Sequence, residues 1–158
     1  MKTLALILLA LFLASGAWGQ SDDNRRPKTF NLDKNGVALK GYDPVSYQDG
    51  QPQKGQDAFA ATDNGIRYLF ASQDHRDRFQ SNPEKYEPAY GGWCAWAMLE
   101  GDKVDIDPES YKIIDGRLYV FYNGFWGDTL KKWNTLAGKE TESALVERAD
   151  ANWSQIRP

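Results

Sequence analysis

The sequence contains one cysteine and one histidine, Cys94 and His75, the two side-chain types with the most versatile chemistry. Cys94 follows the pair Gly91-Gly92, whose backbone N–H groups could stabilise a thiolate, the form that acts as nucleophile or metal ligand. His75 could activate that thiol or share a metal ion with it. A lone cysteine also serves as a small buried hydrophobe, and a lone histidine as an exposed or capping residue. The pair therefore predicts either a Cys/His site or two unrelated structural side chains.

Asp43 is the third candidate for this site. It precedes Pro44 and could orient the imidazole or supply an oxygen ligand, although an aspartate before proline is also a common turn former. Cys94, His75 and Asp43 together offer sulfur, nitrogen and oxygen ligands, which suit copper or zinc. One cysteine and one histidine cannot complete a zinc site of the usual Cys/His type or an internal disulfide. Any metal site must therefore use carboxylates or a partner.

Composition and charge predict a globular domain and exclude one class of partner. The chain has 158 residues, 41% of them hydrophobic, which predicts one globular domain with a substantial core. Its 19 Lys and Arg against 22 Asp and Glu give a net charge of -3, and no basic stripe interrupts this balance. A nucleic-acid partner is therefore not expected.

The first segment is predicted to be removed before folding. Residues 1–19 combine the basic Lys2, a short apolar run and the small residues Ala17 and Gly19, which is the layout of a secretory signal peptide. The apolar run is too short for a spanning helix, so no stable membrane span is expected after cleavage. We expect an exported protein, periplasmic or extracellular. Residues 20–28 are predicted to be a flexible leader, and residues 29–158 a single domain with a C-terminal helical extension.

Turn signals and apolar spacing predict the elements that position these side chains. The pairs Asn35-Gly36, Asn64-Gly65 and Asp115-Gly116 each suit a two-residue hairpin turn. Ser72 can cap a short helix after the second hairpin. Two helices are predicted near the C-terminus, over residues 129–136 and 140–156. The expected fold is α+β, with a small antiparallel sheet of β-hairpins, a short helix after the second hairpin and C-terminal helices packed on the sheet.

Four separated stretches in this order resemble the YHS domain family, in particular its exported, stand-alone members. They are GYDPVSY (41–47), YLFAS (68–72), NPEKY (82–86) and YGGWCA (90–95). Between the second and third stretches, His75 and Phe79 also fit the family pattern. The resemblance covers about residues 40–97 and implies a YHS-like domain. It implies little about activity, because the stand-alone branch largely lacks an assigned reaction.

The departures from the metal-handling members of that family are informative. Those domains carry four thiolates suited to a soft metal, in two Cys-containing segments. The resemblance aligns the four ligand positions with Asp43, Ser46, Ala71 and His75 of this sequence. Alanine cannot bind a metal and serine is a poor ligand, so the tetrathiolate site is absent.

Three functions remain open at this point. The first is an exported YHS-domain binding protein that binds a metal ion or small ligand weakly near Cys94, His75 and Asp43. The second is a thiol redox protein that uses Cys94 with His75 as its catalytic residues. The third is a structural or interaction module that lost the family's metal ligands. The sequence contains no catalytic motif of acyl, phosphoryl or glycosyl transfer, which favours a binding protein over an enzyme.

Overall fold

The structure, a computed structural model, describes residues 26–157 and has the predicted α+β fold. Its α-helices are α1 (Arg26–Thr29), α2 (Pro44–Gln48), α3 (Gln73–Ser81), α4 (Pro83–Tyr86), α5 (Ala95–Met98), α6 (Thr129–Ala137) and α7 (Glu142–Ile156). Its strands are β1 (Gln56–Asp63), β2 (Ile66–Phe70), β3 (Asp107–Ile114), β4 (Arg117–Phe121), β5 (Asn123–Gly124) and β6 (Gly127–Asp128). Short 3-10 turns cover Leu39–Gly41 and Ala89–Gly92. The predicted signal peptide, residues 1–19, lies outside the described residues, and the last part of the predicted leader, residues 26–28, lies in α1.

The strands form three separate two-stranded antiparallel sheets, β1–β2, β3–β4 and β5–β6. Asn64-Gly65 and Asp115-Gly116 make the turns of the first two hairpins, as predicted, and all four residues have positive φ angles. This backbone conformation matches the twist of the paired strands, which explains why such dipeptides favour two-residue turns.

The first predicted hairpin, at Asn35-Gly36, does not form a pair of strands. Its flanks contribute only an isolated bridge between Leu32 and Ala38, because the residues after the turn pair with β2 instead. The Ala38 N–H donates to the Arg67 carbonyl at 2.9 Å, and the Arg67 N–H donates to the Gly36 carbonyl at 3.2 Å. The prediction of a full hairpin at Asn35-Gly36 was therefore wrong, because the backbone groups after the turn form hydrogen bonds with β2.

The longer helices begin at side-chain caps, of which Ser72 was predicted, and α7 has the predicted apolar stripe. Ser72 accepts a hydrogen bond from the His75 N–H at 3.2 Å and so starts α3. Thr141 caps α7 in the same way, through the Ala144 N–H at 3.1 Å. The buried residues of α7 are Leu145, Ala149 and Trp153, which lie on one face at helical spacing.

The interior consists of two apolar clusters. The larger one holds aromatic residues from most elements, including the fully buried Trp133 of α6, whose ring meets Phe121 edge to face with centroids 5.6 Å apart. The smaller one lies against β4 and contains Leu39, Tyr47, Cys94, Ile106, Leu118 and Val120. The C-terminal helices therefore complete the larger core, while Cys94 belongs to the smaller one.

Candidate functional site

Asp43 is the buried centre of the candidate site. It is the N-cap of α2, with Pro44 in the first turn, and its Oδ1 accepts the Val45 N–H at 2.8 Å. The same residue is 0% exposed, which is unusual for a carboxylate and requires hydrogen-bonding partners. Asp43 therefore has a local structural role at the start of α2, as an aspartate before proline often does.

The second carboxylate oxygen of Asp43 reaches the start of α3. Oδ2 accepts the Ala71 N–H at 2.8 Å and lies 2.6 Å from Nδ1 of His75. With the Val45 bond, the buried carboxylate has three partners, and hydrogen bonds to an ionised group are stronger than neutral ones. Asp43 therefore ties α2 to the end of β2 and to the first turn of α3.

Ser46 extends this network on the other side of Asp43. Its Oγ donates to the Asp43 carbonyl at 2.7 Å and accepts the Gln53 N–H at 3.0 Å. Positions 43, 46, 71 and 75, which the family resemblance aligned with metal ligands, consequently lie together and are connected by hydrogen bonds.

His75 directs its other ring nitrogen towards the surface. Nδ1 faces Asp43, and Nε2 lies 3.5 Å from Oδ2 of Asp49. Arg78 holds both oxygens of Asp49, at 2.9 and 3.0 Å. These hydrogen bonds keep the pKa of Asp49 below its usual value. The outer half of the site is therefore a His75–Asp49–Arg78 cluster that the sequence reasoning missed; the spacing of His75 and Arg78 on one helix face was the available signal.

Cys94 lies in the smaller core cluster and is 0% exposed. Its Sγ accepts the Tyr122 N–H at 3.3 Å and lies 3.4 Å from Oγ1 of Thr129. The Thr129 hydroxyl donates its only proton to the Tyr122 carbonyl at 2.7 Å, so the S–H must be the donor of the contact between Cys94 and Thr129. This pattern fits a protonated thiol that is enclosed by the protein.

The structure thus brings two of the three predicted site residues together. Asp43 and His75 are in direct contact, whereas the hydrogen bonds of Cys94 go to Tyr122 and Thr129. Among residues 26–157, no group of three or more His, Cys, Asp or Glu side chains is arranged to hold a metal ion. In the same part of the chain, no helix is both long and apolar enough to cross a bilayer.

Comparison with protein-family models, with curated proteins and with solved structures gives no match to this chain.

Proposed function

We propose that this protein is an exported, YHS-type structural or interaction module without catalytic activity, in which a hydrogen-bonded network takes the structural place of the family's metal ion. The observation that carries this proposal is the network itself. One buried carboxylate, Asp43, joins α2, the end of β2 and α3. These are the segments that four thiolates would join through a metal in the metal-handling members.

The chemistry of the network leaves no position for a metal ion at its centre. Each oxygen of Asp43 already accepts at least one N–H, and the hydroxyl of Ser46 both donates and accepts. A metal ion would have to break these hydrogen bonds, and Ala71 would offer it no ligand atom. Loss of the metal is therefore consistent with a stable fold.

The large aromatic core supports the same proposal, because it supplies stability that a metal ion would otherwise contribute. Trp133 and Trp153 come from the C-terminal helices and pack against rings of the YHS-like region and of β4. A thiol redox function has less support, since the sulfur of Cys94 is fully buried and a reactive thiol must meet its substrate.

A second candidate function, metal binding at the surface, rests on the separation between His75 and Asp49. Two ligands on a tetrahedral zinc ion, each about 2.0–2.2 Å from the metal, lie about 3.3–3.6 Å apart. Nε2 of His75 and Oδ2 of Asp49 are 3.5 Å apart, and Asp43 orients the ring from behind, as carboxylates do for metal-binding histidines. Arg78 opposes this function, because its guanidinium holds both oxygens of Asp49.

Thermal denaturation with and without zinc or copper distinguishes the two candidates. We expect neither metal to raise the melting temperature of the native protein, because a ligand stabilises only when it binds the folded state. The quadruple variant D43C/S46C/A71C/H75C should gain a zinc-dependent rise, since it restores a thiolate at each aligned position. The triple variant D43C/S46C/H75C, which keeps Ala71, is its matched control and should gain a smaller rise.

A rise in the native protein that His75→Ala and Asp49→Asn both remove would establish the surface metal site instead. A quadruple variant that folds and ignores zinc would contradict the assignment of the four positions. If this variant folds only with zinc, the assignment is supported, because the metal then replaces the network that the substitutions removed.

A further inference from the structure

The β5–β6 hairpin exposes two aromatic side chains at its tip. Phe125 is 90% exposed and Trp126 is 77% exposed, whereas the other large aromatic residues between positions 26 and 157 pack mostly in the interior. Their rings meet edge to face with centroids 4.9 Å apart, so they form one apolar surface. Exposed apolar residues that adjoin one another mark interaction surfaces more often than isolated ones do.

The hairpin holds these rings in place through contacts at its base. The Trp126 N–H donates to the hydroxyl of Tyr122 at 3.2 Å, and β5 pairs with β6 at both of its positions. A Cβ on Gly124 would lie 2.7 Å from the same hydroxyl, so glycine leaves room for the Tyr122 side chain at this point of the strand. Thr129 adds two further hydrogen bonds to the Tyr122 carbonyl. The hairpin that exposes the two rings is therefore held in place by hydrogen bonds at its base.

One lysine side chain adjoins the aromatic tip, and two others line the cleft next to it. The ammonium of Lys132 lies 3.7 Å from the position of a Cβ on Gly127, the residue that follows Trp126. Together with Lys131 and Lys139, Lys132 lines a cleft of about 610 Å³. Trp96 and Leu136 form the apolar part of this cleft. All three lysines are exposed.

The carboxylates around this cleft leave it positively charged. Asp128 lines it and is engaged as the N-cap of α6, where it accepts the Lys131 N–H at 2.9 Å. Glu140, next to Lys139, contacts Arg148 at 3.5 Å. The cleft thus carries a local positive charge in a chain whose net charge is -3.

We infer that the Phe125–Trp126 tip and the lysines beside it form a docking surface for an anionic lipid bilayer. The two rings enter the region between headgroups and acyl chains, and Lys131, Lys132 and Lys139 contact lipid phosphates. Tryptophan favours this interfacial region, phenylalanine inserts there with its apolar ring, and each lysine near an anionic surface strengthens binding about fivefold. A protein partner would need a concave pocket for two adjacent rings on a convex turn, whereas a bilayer receives such a tip without one.

This inference goes beyond the proposed function and does not depend on the Asp43–His75 network. Hence a failed metal experiment leaves it intact, and a failed lipid experiment leaves the proposed function intact.

Vesicle co-sedimentation of the full chain tests the docking surface. We expect binding to vesicles of phosphatidylcholine with phosphatidylglycerol, weaker binding to pure phosphatidylcholine, and weakening with salt. Phe125→Ser/Trp126→Ser should reduce affinity at least tenfold, and Lys131→Glu/Lys132→Glu at least tenfold at low salt. Matched controls are Val104→Ser, which removes an apolar side chain that is 38% exposed, and Lys34→Glu, which reverses an exposed lysine; both should bind like the native chain.

Fluorescence with lipids brominated on their acyl chains reports directly on the tip. The native chain should be quenched more than Trp126→Phe, which keeps an aromatic ring but removes the exposed indole. Vesicle binding that ignores all tip and lysine substitutions would place the binding elsewhere in the chain and overturn the inference. Absence of vesicle binding, or equal binding to neutral and anionic vesicles, would overturn it as well.

Discussion

Replacement of Asp43 by alanine should be the most damaging change to the hydrogen-bonded network. It removes the N-cap of α2 and leaves the Ala71 N–H and Nδ1 of His75 without their acceptor. Loss of an N-cap costs about 1 kcal/mol, and each polar group left without a partner costs about 1–3 kcal/mol. His75 is partly exposed, so water can replace part of its hydrogen bond, and the cost of each lost partner lies near the lower end of this range. The expected loss is about 3–4 kcal/mol, or about 10–15 °C in melting temperature.

Two further variants separate the contributions to this loss. Asp43→Asn keeps an oxygen for the Val45 N–H but presents an amide to the Ala71 N–H, so we expect about 2 kcal/mol. His75→Ala leaves both backbone hydrogen bonds of Asp43 intact and should cost about 1–2 kcal/mol. Asp49→Asn is the control, because the 42% exposed Asp49 carboxylate makes a surface ion pair with Arg78 and should cost less than about 1 kcal/mol.

Urea denaturation followed by circular dichroism measures all four free energies of unfolding, provided that the slope of the transition stays constant. The reasoning would be refuted if Asp43→Ala lost less than about 1 kcal/mol, or if Asp49→Asn cost as much as Asp43→Ala.

The remaining predictions concern the thiol and the acid stability of the protein. Cys94 should react with iodoacetamide only after unfolding, because its sulfur is fully buried and hydrogen-bonded; labelling of the native protein at the rate of a free thiol would contradict this. Desolvation raises the pKa of Glu142, but hydrogen bonds from Lys112 and Trp133 outweigh it and hold the pKa below its usual value. A carboxyl group whose pKa is lower in the folded state than in the unfolded state stabilises the protein at pH values above the unfolded-state pKa. This stabilisation is lost as the pH falls through the folded-state pKa. Glu142→Gln should therefore lose less stability than the native protein between pH 7 and about pH 3, and equal losses in urea midpoints would disprove this role.

Local signals in the sequence were sufficient for the elements whose hydrogen bonds are themselves local. Ser72 and the stripe of α7 predicted their helices, and Asn64-Gly65 and Asp115-Gly116 predicted their hairpins, because caps, helical spacing and two-residue turns involve neighbouring residues. Asn35-Gly36 carries the same signal, but β2 competes for its flanking backbone groups.

The β5–β6 hairpin had no such signal, since Phe125-Trp126 is not a typical turn pair. Its turn depends on the hydroxyl of Tyr122, which accepts the Trp126 N–H. Cys94 lies just before the one-turn helix α5, which packs against α6 and α7.

The sequence by itself determined which side chains were available for a site: one thiol, one imidazole and a carboxylate before proline. Only the tertiary structure decided how they are grouped. His75 and Asp43 are 32 positions apart, and they meet because α2 and the first turn of α3 lie side by side. Cys94 is 28 positions from Tyr122 and 35 from Thr129, and packing against β4 and α6 encloses its sulfur. Contacts between residues so distant in sequence depend on how the whole core packs, which no local pattern encodes.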